Sequence, residues 1–196
     1  MNHPVCTPRE PALRRRARFR RQTGELSMIE AAAVMAGAAL LALGAYLGGK
    51  FVMDRIHASQ FKSEAQLFHT GVLDATANDV DFSGETLTTL AQNRAFDSAG
   101  SRVAAARNAV TGMFGGAVIA AAGTVTTAND ALIVTYPVPA TVCSLSVAAL
   151  ASAYTKVTVN GTTVFDPVTP FSTATAGVAC SSAGATASIA MYTTRS

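Results

Sequence analysis

The sequence predicts an α+β protein in which a long N-terminal α-helix, half transmembrane and half amphipathic, packs on a C-terminal antiparallel β-sheet head with a disulfide. Three observations predict this fold. An uncharged stretch of membrane length follows a basic arm, a helical apolar pattern continues beyond that stretch, and short β-favouring segments with turn residues between them fill the C-terminal half.

The N-terminal arm, residues 1–24, carries most of the positive charge. It contains seven Arg and one acid, Glu10, whereas residues 25–196 contain eight Lys or Arg and eleven Asp or Glu. The net charge of +3 therefore comes from the arm alone. A positive net charge that comes from one N-terminal arm does not indicate a nucleic-acid-binding domain.

Residues 31–49 follow the arm and contain no charged side chain. With the apolar residues on either side they are long enough, at ~1.5 Å per residue, to cross a ~30 Å hydrocarbon layer as a helix. The Arg-rich arm before them predicts a cytoplasmic N-terminus and an exported remainder. A buried core helix is disfavoured by this length, and an ordinary signal peptide by the lack of a small-residue cleavage site at residues 50–54.

The helical pattern continues after the uncharged stretch. Apolar residues recur at steps of three and four, with charged residues between them: Phe61, Ala65, Phe68 and Val72, against Asp54, Arg55, Lys62, Glu64 and Asp74. One helix is therefore predicted from about Leu26 to about Asn78, with Gly71 as a weak point and residues 79–84 as its end.

The head is predicted from residue 85 onward. Short helical patterns come first, and two β-hairpins and a last strand follow: helices at 87–91 and 101–110, strands at 117–120 and 131–136, a helix at 140–155, strands at 156–159 and 162–165, and a strand at 185–194. Pro137 and Pro139 are expected to stop the strand before them. Asn160-Gly161 favours a type I′ turn, although Asn160 also begins a glycosylation sequon.

Three cysteines divide between the arm and the exported part. Cys6 lies in the arm, whereas Cys143 and Cys180 lie in the exported part, where an oxidising compartment permits a bridge. Such a bridge would stabilise the head by ~3–4 kcal/mol through the loop that it closes. The alternative is a pair of buried thiols.

Residues 20–30, with the sequence RRQTGELSMIE, resemble the junction of a type IV prepilin. In that family a basic leader ends in Gly, a membrane peptidase cuts after this Gly, and the new N-terminus is methylated. The resemblance implies processing between Gly24 and Glu25. It also implies an assembly role for Glu30, whose carboxylate would pair with the N-terminal amine of a neighbouring subunit.

The type IVb branch of that family, which includes bundle-forming pilins and the thin-pilus pilins of conjugative plasmids, is the most similar. The leader length, the absence of Pro from the helix, and the positions of Cys143 and Cys180 carry this likeness. One departure is that cutting after Gly24 makes Glu25 the first residue and Glu30 the sixth, whereas the family places its Glu fifth. Cutting after Glu25 would restore the register but lose the Gly, so we favour Gly24.

Physical chemistry supports a role for Glu30 independently, because a carboxylate in hydrocarbon costs several kcal/mol unless it is paired. Alternatively Glu30 lies at the membrane interface, where the helix dipole favours it. Gly44 and Gly48 form a small-xxx-small face for helix packing. The alternative is that they are small residues scattered in an Ala-rich span.

No pattern predicts an enzyme, a cofactor or a metal site. The sequence lacks a phosphate-binding loop, a His-Glu-x-x-His motif and a nucleophile elbow. His57 and His69 are twelve residues apart on one predicted helix, too far to share a metal ion.

The predicted organisation is a basic leader (1–24), a transmembrane and assembly half of the helix (25–53), an amphipathic half with a linker (54–84), and a globular head (85–196). The resemblance implies a major pilin that forms a helical homopolymer and whose partners are the prepilin peptidase, the assembly ATPase with its inner-membrane platform, and membrane lipid. The precursor is expected in the inner membrane with a periplasmic head, and the assembled pilus at the cell surface. Open alternatives are a minor pilin, a pseudopilin of a secretion or uptake system, and an anchored periplasmic binding module; conjugation, adhesion and aggregation also stay open.

Overall fold

The computed structural model describes residues 28–182 and 184–195. Its elements, in chain order, are α1 (Met28–Ala75), α2 (Leu87–Gln92), a 3-10 helix (Asp97–Arg102), β1 (Val110–Thr111), β2 (Ala117–Gly123), β3 (Ala131–Pro139), α3 (Ala140–Ala151), β4 (Lys156–Val159), β5 (Thr162–Phe165), α4 (Thr173–Ser181) and β6 (Thr186–Thr194). The chain divides into two units, residues 1–44 and 45–196, and the sheet with the helices packed on it lies within the second.

The six strands form one antiparallel sheet in the order β1-β2-β3-β6-β4-β5. The two central strands, β3 and β6, pair along their whole length, from Ala131 opposite Thr194 to Pro139 opposite Thr186. Along both strands buried side chains alternate with more exposed ones. This period of two gives the sheet one buried face.

Helix α1 packs on that buried face through the predicted apolar stripe. All four stripe residues are buried: Phe61, Ala65, Phe68 and Val72. The ring of Phe61 lies 4.9 Å from that of Tyr136 on β3, and the ring of Phe68 lies 4.9 Å from that of Phe96. The predicted fold class, a long apolar N-terminal helix packed on an antiparallel sheet, is therefore confirmed.

The predicted helix over residues 101–110 is wrong. The 3-10 helix ends at Arg102, Val103 forms an isolated bridge with Val110, and a turn joins them in which Arg107 has a φ of 52°. The guanidinium of Arg107 donates hydrogen bonds to the carbonyl of Ala91 and to Asp97. These tertiary contacts outweigh the helix propensity of the Ala-rich segment.

Strand β3 runs through Pro137 and ends at Pro139, directly before α3, so the prediction that the strand stops before Pro137 is wrong and Pro139 marks its end. Pro137 lies opposite Ser188 of β6. A strand tolerates proline where the missing N–H has no ladder partner. Pairing of β2 with β3 ends at Thr135, so β3 has an open edge from there onward.

The second hairpin confirms the turn interpretation of Asn160-Gly161. Both residues have positive φ, 50° and 81°, as a type I′ turn requires. The Asn160 side chain donates to the carbonyl of Ala179 at 2.7 Å and accepts from the backbone N–H of Ser188 at 2.8 Å. Its amide therefore ties the turn to the end of α4 and to β6.

Helix α4 is absent from the predicted elements. It consists of small and polar residues without an apolar stripe, and its buried side chains are Ala176, Ala179 and Cys180. Ser172 caps it by accepting a hydrogen bond from the backbone N–H of Thr175. Contacts with the rest of the head, above all through Cys180, thus fix a segment whose own pattern is weak.

Helix α1 runs through Gly71 without a break, as one continuous helix. A Cβ at this position would overlap the backbone carbonyl of Ala95. The glycine therefore permits a close approach between α1 and the segment after α2.

We expect Gly71→Ala to destabilise the head by ~1–3 kcal/mol, because the overlap with the Ala95 backbone outweighs the ~1 kcal/mol that alanine gains in a helix. Gly177→Ala in α4 is the matched control, since a Cβ there meets nothing within 4 Å. It should leave stability unchanged or raise it. Urea unfolding of the full chain in detergent measures both, and a Gly71→Ala variant as stable as the wild type would contradict this explanation.

Candidate assembly interface

The first half of α1 exposes many large apolar side chains. Each is at least 44% exposed: Val34, Met35, Leu40, Leu41, Leu43, Tyr46, Leu47, Phe51, Val52, Met53 and Ile56. Among the described residues, α1 is the one helix long and apolar enough to cross a membrane, with a mean hydropathy of 1.8 over its most apolar window. A surface of this kind requires lipid or protein around it.

The structure places the predicted assembly residues in different ways. Gly24 and Glu25 lie outside the described residues. Glu30 is in the first turn of α1, and its side chain lies outside the described part. Gly44 and Gly48 are both in α1, where a Cβ would meet nothing within 4 Å. Both positions are therefore open to the approach of another helix.

Cys143 and Cys180 form the predicted disulfide. Cys143 is in α3 and Cys180 in α4, both side chains are buried, and their Cα atoms are 5.8 Å apart. The bond joins α3, which contacts β3, β6 and β4, to α4, which contacts β4 and β5. Cys6 lies outside the described residues.

Glu64 lies on the buried side of α1 and not among the exposed charges, where the sequence pattern places it. Its two carboxylate oxygens accept hydrogen bonds from the two terminal nitrogens of Arg102, at 2.9 Å and 2.5 Å. The hydroxyl of Tyr136 donates to the same carboxylate at 2.9 Å. A bidentate, charge-assisted pair of this kind satisfies a carboxylate that is removed from water.

Arg102 and Tyr136 connect this carboxylate to the first strands of the sheet. Arg102 also donates to the carbonyl of Thr111 at 3.0 Å, and the Tyr136 hydroxyl accepts from the backbone N–H of Met113 at 2.5 Å. The hydrogen bond with Glu64 raises the pKa of Arg102, and burial raises the pKa of Tyr136 to about 12. At neutral pH Arg102 is therefore a cation and Tyr136 a neutral donor, as the Glu64 carboxylate requires.

A second polar contact holds α1 one residue further along. The hydroxyl of Tyr154, which follows α3, donates to the backbone carbonyl of Ala65 at 2.6 Å. The ring of His69 packs edge-on against Tyr154, with 5.0 Å between ring centroids. Burial raises the pKa of Tyr154, so this donor keeps its proton.

Arg195, which follows β6, binds the C-terminal end of α1. Its guanidinium donates to the carbonyl of Thr76 at 2.5 Å and to the carbonyl of Asp79. The same group stacks over the ring of Phe82, 4.5 Å from the centroid. The C-terminal end of a helix carries a partial negative charge that attracts a cation, and Arg195 supplies it.

Sequence reasoning missed these contacts, although one signal was present. Glu64 is three residues after Phe61 and four before Phe68, so helical spacing places it beside the apolar stripe. An acid at such a position predicts a buried partner. The partners Arg102 and Tyr136 are 38 and 72 residues away, and no local pattern identifies them.

A family model described as PilS N terminal matches residues 58–194, well over half of the chain. The match begins in α1 just before the apolar stripe and ends at the last residue of β6. It therefore covers the head and the part of α1 that the head buries. No curated protein matches the chain.

We expect Glu64→Ala to destabilise the head by ~3 kcal/mol, because it leaves Arg102 and Tyr136 without their partner in a largely buried site. Asp97→Asn is the matched control. It removes the charge from a second ion pair, to Arg107 at 2.7 Å, in which the Asp97 side chain is 43% exposed. An exposed pair contributes at most ~1 kcal/mol. Urea unfolding of both full-length variants in detergent tests the difference, and equal losses would show that the Glu64 contacts are no more important than a surface pair.

Proposed function

Because the chain belongs to the PilS family of type IV pilins, which are structural subunits, we propose that it is the major pilin of a type IVb pilus and polymerises through the first half of α1. The observation that carries this proposal is the exposed apolar surface of α1 over residues 34–56. The head buries the later stripe of the same helix, residues 61–72. The exposed part is thus available first to lipid and then to neighbouring helices.

The precursor is proposed to consist of the leader (1–24), the membrane and assembly half of the helix (25–53), the amphipathic half with its linker (54–84) and the head (85–196). It resides in the inner membrane with the Arg-rich leader in the cytoplasm and the head in the periplasm. The Cys143–Cys180 disulfide supports this orientation, because disulfides persist in oxidising compartments.

Assembly transfers the apolar half of α1 from lipid to a bundle of the same helices from other copies. Leucine side chains gain little from this exchange alone, because lipid is as apolar as they are. The stabilisation that the transfer of apolar side chains from lipid does not provide comes from close helix packing at Gly44 and Gly48 and from a buried ion pair at Glu30. A prepilin peptidase removes the leader and methylates the new N-terminus, and an assembly ATPase with its membrane platform drives the transfer.

The first test concerns processing. We expect mature protein to begin at Glu25, and Gly24→Leu to leave the uncleaved precursor in the membrane. Mass spectrometry and N-terminal sequencing of protein sheared from the cell surface measure this. Leu26→Ala, two residues after the junction, is the control and should be processed. A mature N-terminus beyond residue 50 would contradict the proposal, and only trace amounts of the chain in sheared filaments would indicate a minor pilin.

The second test concerns Glu30. We expect Glu30→Gln to reduce pilin in sheared filaments at least tenfold while insertion, leader cleavage and the disulfide are retained, since none of them uses this carboxylate. The side chains are similar in size, so the change isolates the charge that would pair with a neighbouring N-terminal amine. The ratio of filament to membrane pilin is the measurement. An unchanged ratio would assign Glu30 to the helix dipole, where its loss costs at most ~1 kcal/mol.

A further inference from the structure

The segment after α1 forms a protruding acidic loop, defined here as residues 79–81. Its central residue, Val80, is 99% exposed between Asp79 and Asp81. The loop is held in place, because Asp79 N–H donates to the carbonyl of Thr76 at 3.1 Å and Asp81 accepts from the backbone N–H of Ser83 at 2.9 Å. An apolar side chain is thus presented to solvent between two carboxylates on a fixed turn.

The Asp81 carboxylate is ionised over the physiological range, since the hydrogen bonds from Ser83 lower its pKa. Two further acids are near the loop in sequence, Asp74 five residues before it and Glu85 four residues after it. Arg195 is the cation that contacts it, 3.7 Å from the Asp79 carboxylate. The surroundings of Val80 therefore have a net negative charge.

A basic groove of complementary character lies between α1 and α3. It has a volume of about 360 Å³ and is lined by Arg55, Ala58, Ser59, Lys62 and Leu145. Arg55, Ser59 and Lys62 are at helical steps of four and three, so they share one face of α1. Ala58 is buried and Leu145 half-buried, which gives the groove an apolar floor between two cations.

Neither cation of the basic groove forms an ion pair with another described residue. Arg55 lies over the ring of Phe51, 4.8 Å from its centroid, and this contact leaves its charge uncompensated. The groove thus offers two free cations around a small apolar surface. The acidic loop has the matching arrangement, two anions around a small apolar side chain.

The two surfaces cannot meet within one chain. Ser59 and Thr76 are separated by about 25 Å of helix at ~1.5 Å per residue. The loop stays at the Thr76 end, because Asp79 is hydrogen-bonded to Thr76 and both are bound by Arg195. Contact between loop and groove therefore requires a second copy.

We propose that the acidic loop of one subunit docks into the basic groove of the next, with Val80 on the floor formed by Ala58 and Leu145. The two surfaces differ, so the contact is head-to-tail and can extend from copy to copy along a filament, whereas a contact between two identical surfaces closes a dimer. The charges fix the orientation and register of the contact more than its strength. This proposal rests on the proposed function, because it assigns the contact between heads in the filament.

The experiment uses the full chain in its native host, with Cys6→Ser so that the precursor also carries no other free thiol. Ser59→Cys and Val80→Cys are introduced together; both positions are exposed, so the head should fold. A disulfide requires Cα atoms closer than about 7 Å, so these two cysteines can be joined only between copies. Mild oxidation of sheared filaments should give a ladder of covalent multimers on non-reducing gels, and reductant should abolish it.

Three controls define the contact. Each single-cysteine variant should give monomers, because a head-to-tail contact does not bring identical residues together. Filaments from co-expressed Ser59→Cys and Val80→Cys single variants should give dimers, because each copy then carries one cysteine. This measurement replaces the ladder if the double variant assembles poorly. Ser59→Cys combined with Val168→Cys should give monomers. Val168 is as accessible as Val80, since it is 90% exposed, but it belongs to a different loop and does not line the groove.

The outcomes separate this proposal from the proposed function. Abundant wild-type filaments with only monomers from the Ser59→Cys/Val80→Cys variant would overturn the docking and leave the pilin function intact. Absence of wild-type filaments would overturn both. Maleimide labelling of Ser59→Cys tests whether the groove binds an anionic lipid headgroup instead of the acidic loop. Docking of the loop predicts that the cysteine is protected in filaments and reactive in membranes. Protection in membranes and reactivity in filaments would assign the groove to lipid.

Discussion

The burial of Glu64 on the apolar stripe of α1 is the constraint around which the head is organised. A carboxylate removed from water requires cationic and hydrogen-bonding partners, and the chain supplies them from Arg102 and from Tyr136 at the centre of β3. These contacts fix the rotation of α1 about its axis, because they are made at one position of its circumference. Tyr154 and Arg195 then donate hydrogen bonds to the carbonyls of Ala65 and Thr76, so the position of the helix along its own axis is fixed as well.

This orientation decides which surfaces of the helix remain for other molecules. With Glu64 and Phe61 turned to the sheet, Arg55, Ser59 and Lys62 line an open groove, and the turn after the helix presents Val80. The earlier apolar residues, from Val34 to Ile56, are likewise exposed. One helix therefore carries a part that its own head buries and a part that its own head leaves exposed, which fits the membrane anchoring of a pilin.

Local patterns in the sequence predicted those elements whose signals are local. The stripe from Phe61 to Val72 and the Asn160-Gly161 hairpin each follow from a short motif, and the structure contains both. The disulfide joins cysteines 37 residues apart, and its prediction rested on the even number of cysteines after the arm. Elements that depend on distant residues were missed. The segment after Arg102 is not helical in spite of its pattern, because Arg107 makes contacts outside it. Strand β3 passes through Pro137 because its pairing with β2 ends at Thr135. Helix α4 has too few apolar residues to be recognised without the disulfide.

The position of β6 in the sheet affects the order in which the head can fold. It is the last strand of the sheet in sequence, yet it lies at the centre, between β3 and β4, and the Arg195 that follows it completes the end of α1. The β2–β3 and β4–β5 hairpins before it can form from their own residues, but they remain two separate pieces until β6 pairs with both β3 and β4. The two hairpins are therefore joined late in the folding of the head, and until then the edges of β3 and β4 are unpaired and can pair with other chains.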